Sequence, residues 1–254
     1  MNKNKTSQRH LSKYLDTQVQ AISSGSKKVR HLTSGEPVHE LRLATRQVRA
    51  VFWVLKHSTE HVRFKKLDLR LRELGEALGK VREIDVAIAD ANHFKIKSSK
   101  LIPIRMEAVK KLRKLIKRHQ RQSLNKLLSL ANKSVRSMSS IQVTEAREKL
   151  NKSLNHQLTQ DIHGTAKLHK LRIAVKKARY AIDAMSGSFS PTNRSNHPMK
   201  ELQDVLGHAH DLELLQGFTG KNLKIKTKQS VLNAEAVRLS RPALQFAVSQ
   251  LALQ

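Results

Sequence analysis

Two runs of histidine, arginine and lysine carry the chemistry this chain offers. His39, Arg42, Arg46 and Arg49 follow at steps of three, four and three residues. On a helix turning about 100° per residue they share a strip about 80° wide. Leu41, Ala44, Val48, Val51, Phe52 and Leu55 gather on the opposite side, so the basic strip backs onto a core-facing one. The pattern returns 130 residues later as His169, Arg172, Lys176 and Arg179, with Lys177 alongside. Guanidinium forks donate paired, charge-assisted hydrogen bonds to one phosphoryl group, and lysines add point charge. A phosphate chain carries charge at every unit, which suits cations one helical turn apart. His39 and His169 have two readings. They are phosphate donors, with the charged form favoured beside a polyanion, or neutral rings that bond a neighbouring helix.

A second pair of segments follows the same order. Leu78-Gly79 matches Leu206-Gly207, Arg82 matches His210, and Glu83 matches Asp211. Histidine-to-glycine spacing is 40 residues in one copy and 38 in the other. Glu83, Asp85, Asp204 and Asp211 could orient the arginines from behind, recruit Mg²⁺ beside phosphate, or form salt bridges between helices. All three roles stay open. Gly79 and Gly207 are read as points where helices approach or bend, because a phosphate-cradling P-loop needs more glycines and a following Lys-Ser/Thr. His57 and His61 lack the glutamate context of a metalloprotease motif and are read as chance, so no metal site is assigned.

The elements that must position these residues are helices. Leu, Lys, Ala, Gln and Arg are abundant, while nine glycines and five prolines are few for 254 residues. A short helical pattern at Leu11, Leu15, Val19 and Ile22 precedes a polar link with Gly25 and Gly35. Pro37 opens the first motif helix, which is expected to run to about residue 58. A long helix over 63–92 follows. Residues 95–136 hold fourteen Lys or Arg and one acid, Glu107, yet keep helical spacing at Val109, Leu112, Ile116, Leu127 and Ala131. Lys110, Lys114, Lys117, Arg118 and Arg121 form an outer ridge with no compensating acids at i±4. It is either a functional field or a solvated face. A link over 137–144, a helix over 144–160 with Leu150, Leu154 and Leu158, the second motif helix to about 185, a loop over 186–198, a helix from 199, a basic connection over 221–228 and a last helix kinked at Pro242 complete the chain.

The charge is the outlier. Forty-nine Lys and Arg against twenty Asp and Glu give +29, far above the magnitude of about 2 to 8 that keeps a small domain soluble. Such self-repulsion favours a polyanionic partner: nucleic acid, anionic membrane or inorganic polyphosphate. Six Phe, two Tyr and one Trp leave few stacking platforms for bases, which shifts weight toward bare phosphate. Absence of cysteine excludes disulfides and thiolate metal sites and is compatible with a reducing compartment. No apolar run reaches the ~20 residues of a membrane span, and the polar start lacks a secretory signal's apolar segment.

The repeat implies an all-α fold of two four-helix units, 1–138 and 139–254, related by a pseudo-two-fold axis. Together, the two His-x-x-Arg-x-x-x-Arg/Lys-x-x-Arg helices, each followed by Leu-Gly-x-x-x-Asp/Glu, resemble the conserved histidine α-helical domain, or CHAD, over about residues 5–250. Lys177-Ala178-Arg179-Tyr180 and Leu202-Gln203-Asp204-Val205-Leu206-Gly207 are especially similar to that family's second half. Glu83 stands where the family usually has Asp, and His210 where Asn or Arg is common. The resemblance implies a basic central cavity lined by the two motif helices, and binding of inorganic polyphosphate by a stand-alone, non-catalytic domain. Arg82, Glu83, Asp85, Asp204, His210 and Asp211 would support that cavity, with no cofactor. The implied setting is cytoplasmic, with association to polyphosphate granules. The rival is a nucleic-acid-binding basic protein, although no nucleic-acid motif accompanies the charge. Polyphosphate or triphosphate hydrolysis ranks third, since neither a metal–carboxylate cluster nor a nucleophile–base pair is evident.

Overall fold

A computed structural model describes residues 3–31, 35–54, 61–121, 124–137, 140–159, 164–186, 198–220 and 222–253. Among them the chain forms nine helices and no strand: α1 (Lys3–His31), α2 (Gly35–Val54), α3 (His61–His93), α4 (Leu101–Arg121), α5 (Leu124–Arg136), α6 (Ser140–Leu158), α7 (Thr165–Ser186), α8 (Pro198–Thr219) and α9 (Leu223–Leu253). The expected end of the first motif helix near residue 58, Leu55, the side chains of His57, His61 and Leu158, and the loop interior at 187–197 lie outside the described residues.

The motif helices form for the reasons their spacing implies. In α2, Leu41, Ala44, Val48, Val51 and Phe52 are buried, while Glu36 in the first turn favours the positive end of the helix dipole. In α7, Leu168, Leu171, Val175, Ala178 and Ile182 repeat the i, i+3, i+4 stripe. α2 packs on α3 and α7, α7 packs on α8, and α3 packs on α8.

The long helices α3 and α8 serve two cores. Phe64, Leu67, Leu71, Leu74, Leu78 and Val81 of α3, with Met199, Leu202 and Leu206 of α8, join the main apolar cluster. Beyond those points Ile84, Ala87 and Ala91, with Ala209, Leu212 and Leu215, join a second cluster with Leu101 of α4 and Ile225 of α9. Both helices change core at the Leu-Gly segments. Gly220 closes α8 with φ 88° while its N–H donates to the Gln216 carbonyl, as a helix C-terminus requires of a residue without Cβ.

Four element boundaries differ from the expected ones. Gly25 lies inside α1, not in a link, and is buried where an added Cβ would sit 3.3 Å from Leu41 Cβ; it admits α2 at close range. Residues 95–136 form two helices, so the described count is nine instead of eight. α6 already begins at Ser140. Residues 223–228 of the expected basic connection are the start of α9, because Ile225 and Leu232 bury one face of it. Pro242 lies within α9.

Candidate functional site

Residues of α2, α3, α7 and α8 line a pocket of about 440 Å³. α2 contributes His39, Arg42 and Arg46; α3 contributes Arg82 and Glu83; α7 contributes Arg172, Lys176, Arg179 and Tyr180. α8 adds Lys200, Gln203, Asp204, Gly207, His208, His210 and Asp211. Each set is one helical face, with steps of three or four residues leading from turn to turn. Seven basic side chains (Arg42, Arg46, Arg82, Arg172, Lys176, Arg179 and Lys200) face three acids, Glu83, Asp204 and Asp211. One acid is already engaged, with Lys200 Nζ 3.0 Å from Asp204. The remaining surplus selects anions.

Crowding leaves its mark on the ionisation of these groups. Burial, then Arg46, lowers Arg42 to about 10 despite Glu83. Burial and Arg46 also lower Arg172, against Asp211 and Glu83. The largest effect is on Lys176, which burial, Arg172, Arg46 and Arg42 push down to about 6 against the pull of Asp211. His39 falls through burial and Arg82. His210 falls to about 4 through burial and Arg172, opposed by Glu213. Asp211 rises by burial, although Arg172 and Lys176 hold it back.

The same crowding leaves polar atoms without protein partners. His39 Nδ1, Arg42 Nε, Arg172 Nε, Arg179 Nε and Gln203 Oε1 are buried and accept or donate no hydrogen bond within the protein. A buried polar atom in that condition costs about 1–3 kcal/mol. A ligand rich in acceptors would relieve four of these five. That is the chemistry of an oxyanion with several oxygens.

The remaining expected site residues lie elsewhere. Arg49 lines an adjoining pocket, where its Nε donates to Asp68 Oδ1 at 2.9 Å. Lys177 is exposed in that same pocket, 5.9 Å from the Trp53 ring centroid. His169 is exposed outside the 440 Å³ pocket, with its ring 5.6 Å from that of His210. Asp85 does not line the pocket either. It pairs with Arg105 of α4 at 2.5 Å, and its Oδ2 would lie 3.2 Å from a Cβ at Gly35. The ridge residues Lys110, Lys114, Lys117, Arg118 and Arg121 are exposed on α4 and line no part of this pocket. Arg118 donates to Glu73 of α3 at 2.8 Å, a compensating acid that sequence neighbours do not reveal.

Gly79 and Gly207 divide. An added Cβ at Gly79 would make ordinary contact with Arg42, 3.7 Å from Nε. At Gly207 nothing lies within 4 Å, so that glycine widens the pocket instead of admitting a helix. Tyr180, Lys200, Gln203 and His208 were absent from the sequence-derived site. A signal for α8 existed: 200, 203, 204, 207, 208 and 211 are the i, i+3, i+4, i+7, i+8, i+11 positions of one face.

A family model described as CHAD domain matches residues 13–219. No curated protein matches the chain. Among solved structures, the CHAD domain from the plant Ricinus communis is similar with a TM-score of 0.60 at 18% identity, over 97% of this chain and 92% of that one. PptA from Streptomyces chartreusis gives a TM-score of 0.58 at 14% identity, over 97% and 99% of the two chains. At these identities the structural likeness speaks for the fold.

Proposed function

We propose, for a chain that belongs to the CHAD domain family, that it binds inorganic polyphosphate in the pocket between α2, α3, α7 and α8 without turning it over. CHAD domains are non-catalytic binding domains. Among the described residues no group of three or more His, Asp or Glu side chains is placed to hold a metal ion. The observation that carries the reading is the set of buried, unpartnered arginine and histidine nitrogens on α2 and α7. Those donors belong to His39, Arg42, Arg172 and Arg179, residues of the repeated motif.

Arg42, Arg46, Arg172 and Arg179 donate to phosphate oxygens, with Lys176 and Arg82 adding charge between them. Glu83 steadies Arg42, and Asp211 with Glu83 steadies Arg172, each acid favouring the charged guanidinium against burial. The chain is an internal duplication in this reading, 1–138 and 139–254, with α2–α3 facing α7–α8. Arg49 and Lys177 extend the cationic path beyond the pocket, His169 stands beside it next to His210, and the α4 ridge adds long-range attraction. No helix among the described residues is long and apolar enough to cross a membrane; the proposed setting is the cytoplasm, on polyphosphate granules.

Nucleic acid is the second reading, favoured by the exposed ridge on α4. Competition separates the two. Long-chain polyphosphate is expected to displace labelled DNA at a far lower phosphate concentration than DNA needs to displace polyphosphate. Equal displacement would reduce the protein to a promiscuous basic surface.

A further inference from the structure

A second pocket, of about 380 Å³, adjoins the first and shares Arg46, Arg172, Lys176 and Tyr180 with it. Its character is different. Phe52, Trp53, Phe64 and Tyr180 line it, four of the nine aromatic residues in the chain. Phe52 and Phe64 stack at 4.9 Å with their planes 8° apart and are buried. Trp53 is half-buried at the edge of the main core. Ile173, 41% exposed, stands on α7 as a further apolar wall. Beyond the shared Arg46, Arg172 and Lys176, its charged groups are the Arg49–Asp68 pair and Lys177, whose ammonium lies over the indole.

A pocket with an aromatic wall on one side and charged groups on the other is the form of a small-molecule site, and its volume lies in the usual range of about 300–1,000 Å³. Low aromatic content over the whole chain argues against stacking in general. The concentration of those few rings at one place argues for it here. A purely inorganic chain has nothing to set against Trp53 and Ile173, whereas a ligand with a flat ring at one end and phosphates at the other fits both compartments.

We propose that this second pocket takes the base of a nucleoside polyphosphate, whose phosphate chain runs past Arg46, Arg172 and Lys176 into the first. The inference rests on the phosphate-binding reading of the first pocket. The base packs against Trp53, Lys177 reinforces the stack from its position over the indole, and Arg49 with Asp68 meets the base edge. The same protein then distinguishes a nucleotide-capped chain from a bare one.

Trp53 is the single tryptophan of the chain, so its emission reports directly on this pocket. Titrations compare adenosine triphosphate with inorganic tripolyphosphate, and long-chain polyphosphate serves as the control for the first pocket. Tripolyphosphate carries the greater charge for the same number of phosphates, so electrostatics alone favours it. Stacking reverses the order: adenosine triphosphate binds roughly tenfold tighter and quenches Trp53. Trp53→Leu keeps apolar bulk against the core; by calorimetry it brings adenosine triphosphate down to the tripolyphosphate level and leaves tripolyphosphate itself unchanged. Equal or weaker binding of the nucleotide overturns the base pocket while the phosphate reading stands. A nucleotide preference that survives Trp53→Leu overturns it too, as does long-chain binding with no adenosine triphosphate binding. Failure of all three ligands overturns both readings.

Discussion

Lys176 makes polyanion binding a proton-uptake reaction. Burial and the guanidinium groups of Arg172, Arg46 and Arg42 hold its ammonium at about 6 in the free protein, with Asp211 of α8 opposing them. At pH 7 a minority of molecules therefore carries the charge, and restoring it costs on the order of 1 kcal/mol. The cost is smaller at pH 6 and about 3 kcal/mol at pH 8. A polyanion that requires charged Lys176 thus loses well over tenfold in affinity between pH 6 and pH 8. His39 and Asp211 face the same pocket and respond to a polyanion with the same sign, since each gains protonation beside negative charge. Comparison with Lys176→Met isolates the lysine. Calorimetry at constant ionic strength, in two buffers of different ionisation enthalpy, is expected to show close to one more proton taken up by the native protein than by the variant at pH 8. Parallel pH profiles and equal proton uptake would refute the reasoning. Stability moves the other way. The folded-state value lies below the unfolded 10.5, so the unfolded chain binds more protons between about pH 6 and 10.5. Stability therefore rises with pH across that window, and the destabilisation is fully present below it. Lys176→Met is expected to raise the melting temperature of the ligand-free protein at pH 7, where the relieved cost is at most about 5 kcal/mol.

The same geometry sets three other outcomes. Asp85→Ala removes the carboxylate from a largely buried pair with Arg105; chemical denaturation is expected to register a loss of about 2–4 kcal/mol, with polyphosphate affinity unchanged once the protein is folded. Gly207→Ala enters open space and gains about 1 kcal/mol of helix propensity by the same assay, whereas Gly207→Leu intrudes on the pocket and weakens polyphosphate binding by roughly tenfold or more. Arg42→Ala lowers the slope of log affinity against log salt concentration by about one, if the counterion logic of nucleic acid carries over to polyphosphate; an unchanged slope would take Arg42 out of direct contact.

The parts of the molecule that depend on local pattern were legible in advance. The stripes of α2 and α7 follow from spacing alone, and the cationic strip on α2 brings His39, Arg42 and Arg46 to one pocket. Misreadings arise where a partner lies far along the chain. For Asp85 the sequence leaves three roles open, and the pair its carboxylate makes with Arg105, twenty residues on, is the salt bridge between helices. Arg118 looked uncompensated because its acid, Glu73, is forty-five residues away on another helix. Gly25 reads as a helix breaker by propensity, yet close packing on Leu41 outweighs that cost. The lysines at 224, 226 and 228 read as a link, although burial of Ile225 and Leu232 suffices to make them the outer face of a helix. Lys176 reads in the sequence as a plain positive charge; burial first, then Arg172 beside it on α7 and Arg46 and Arg42 from α2, turn it into a group that titrates near neutrality, against the pull of Asp211 from α8.

One comparison bears most directly on the pocket as the polyphosphate site. Affinity for long-chain polyphosphate is measured for two multiple variants whose helicity is checked by circular dichroism. One replaces Arg42, Arg46, Arg172 and Arg179 with alanine; the other replaces Lys110, Lys114 and Arg118 on α4. Each charge-assisted hydrogen bond is worth about 1.5–3 kcal/mol, so the pocket variant is expected to lose at least about a hundredfold in affinity. The ridge variant is expected to lose far less, and its loss to shrink at high salt. A larger loss from the ridge would contradict binding in the pocket and move the site to the outer face of α4.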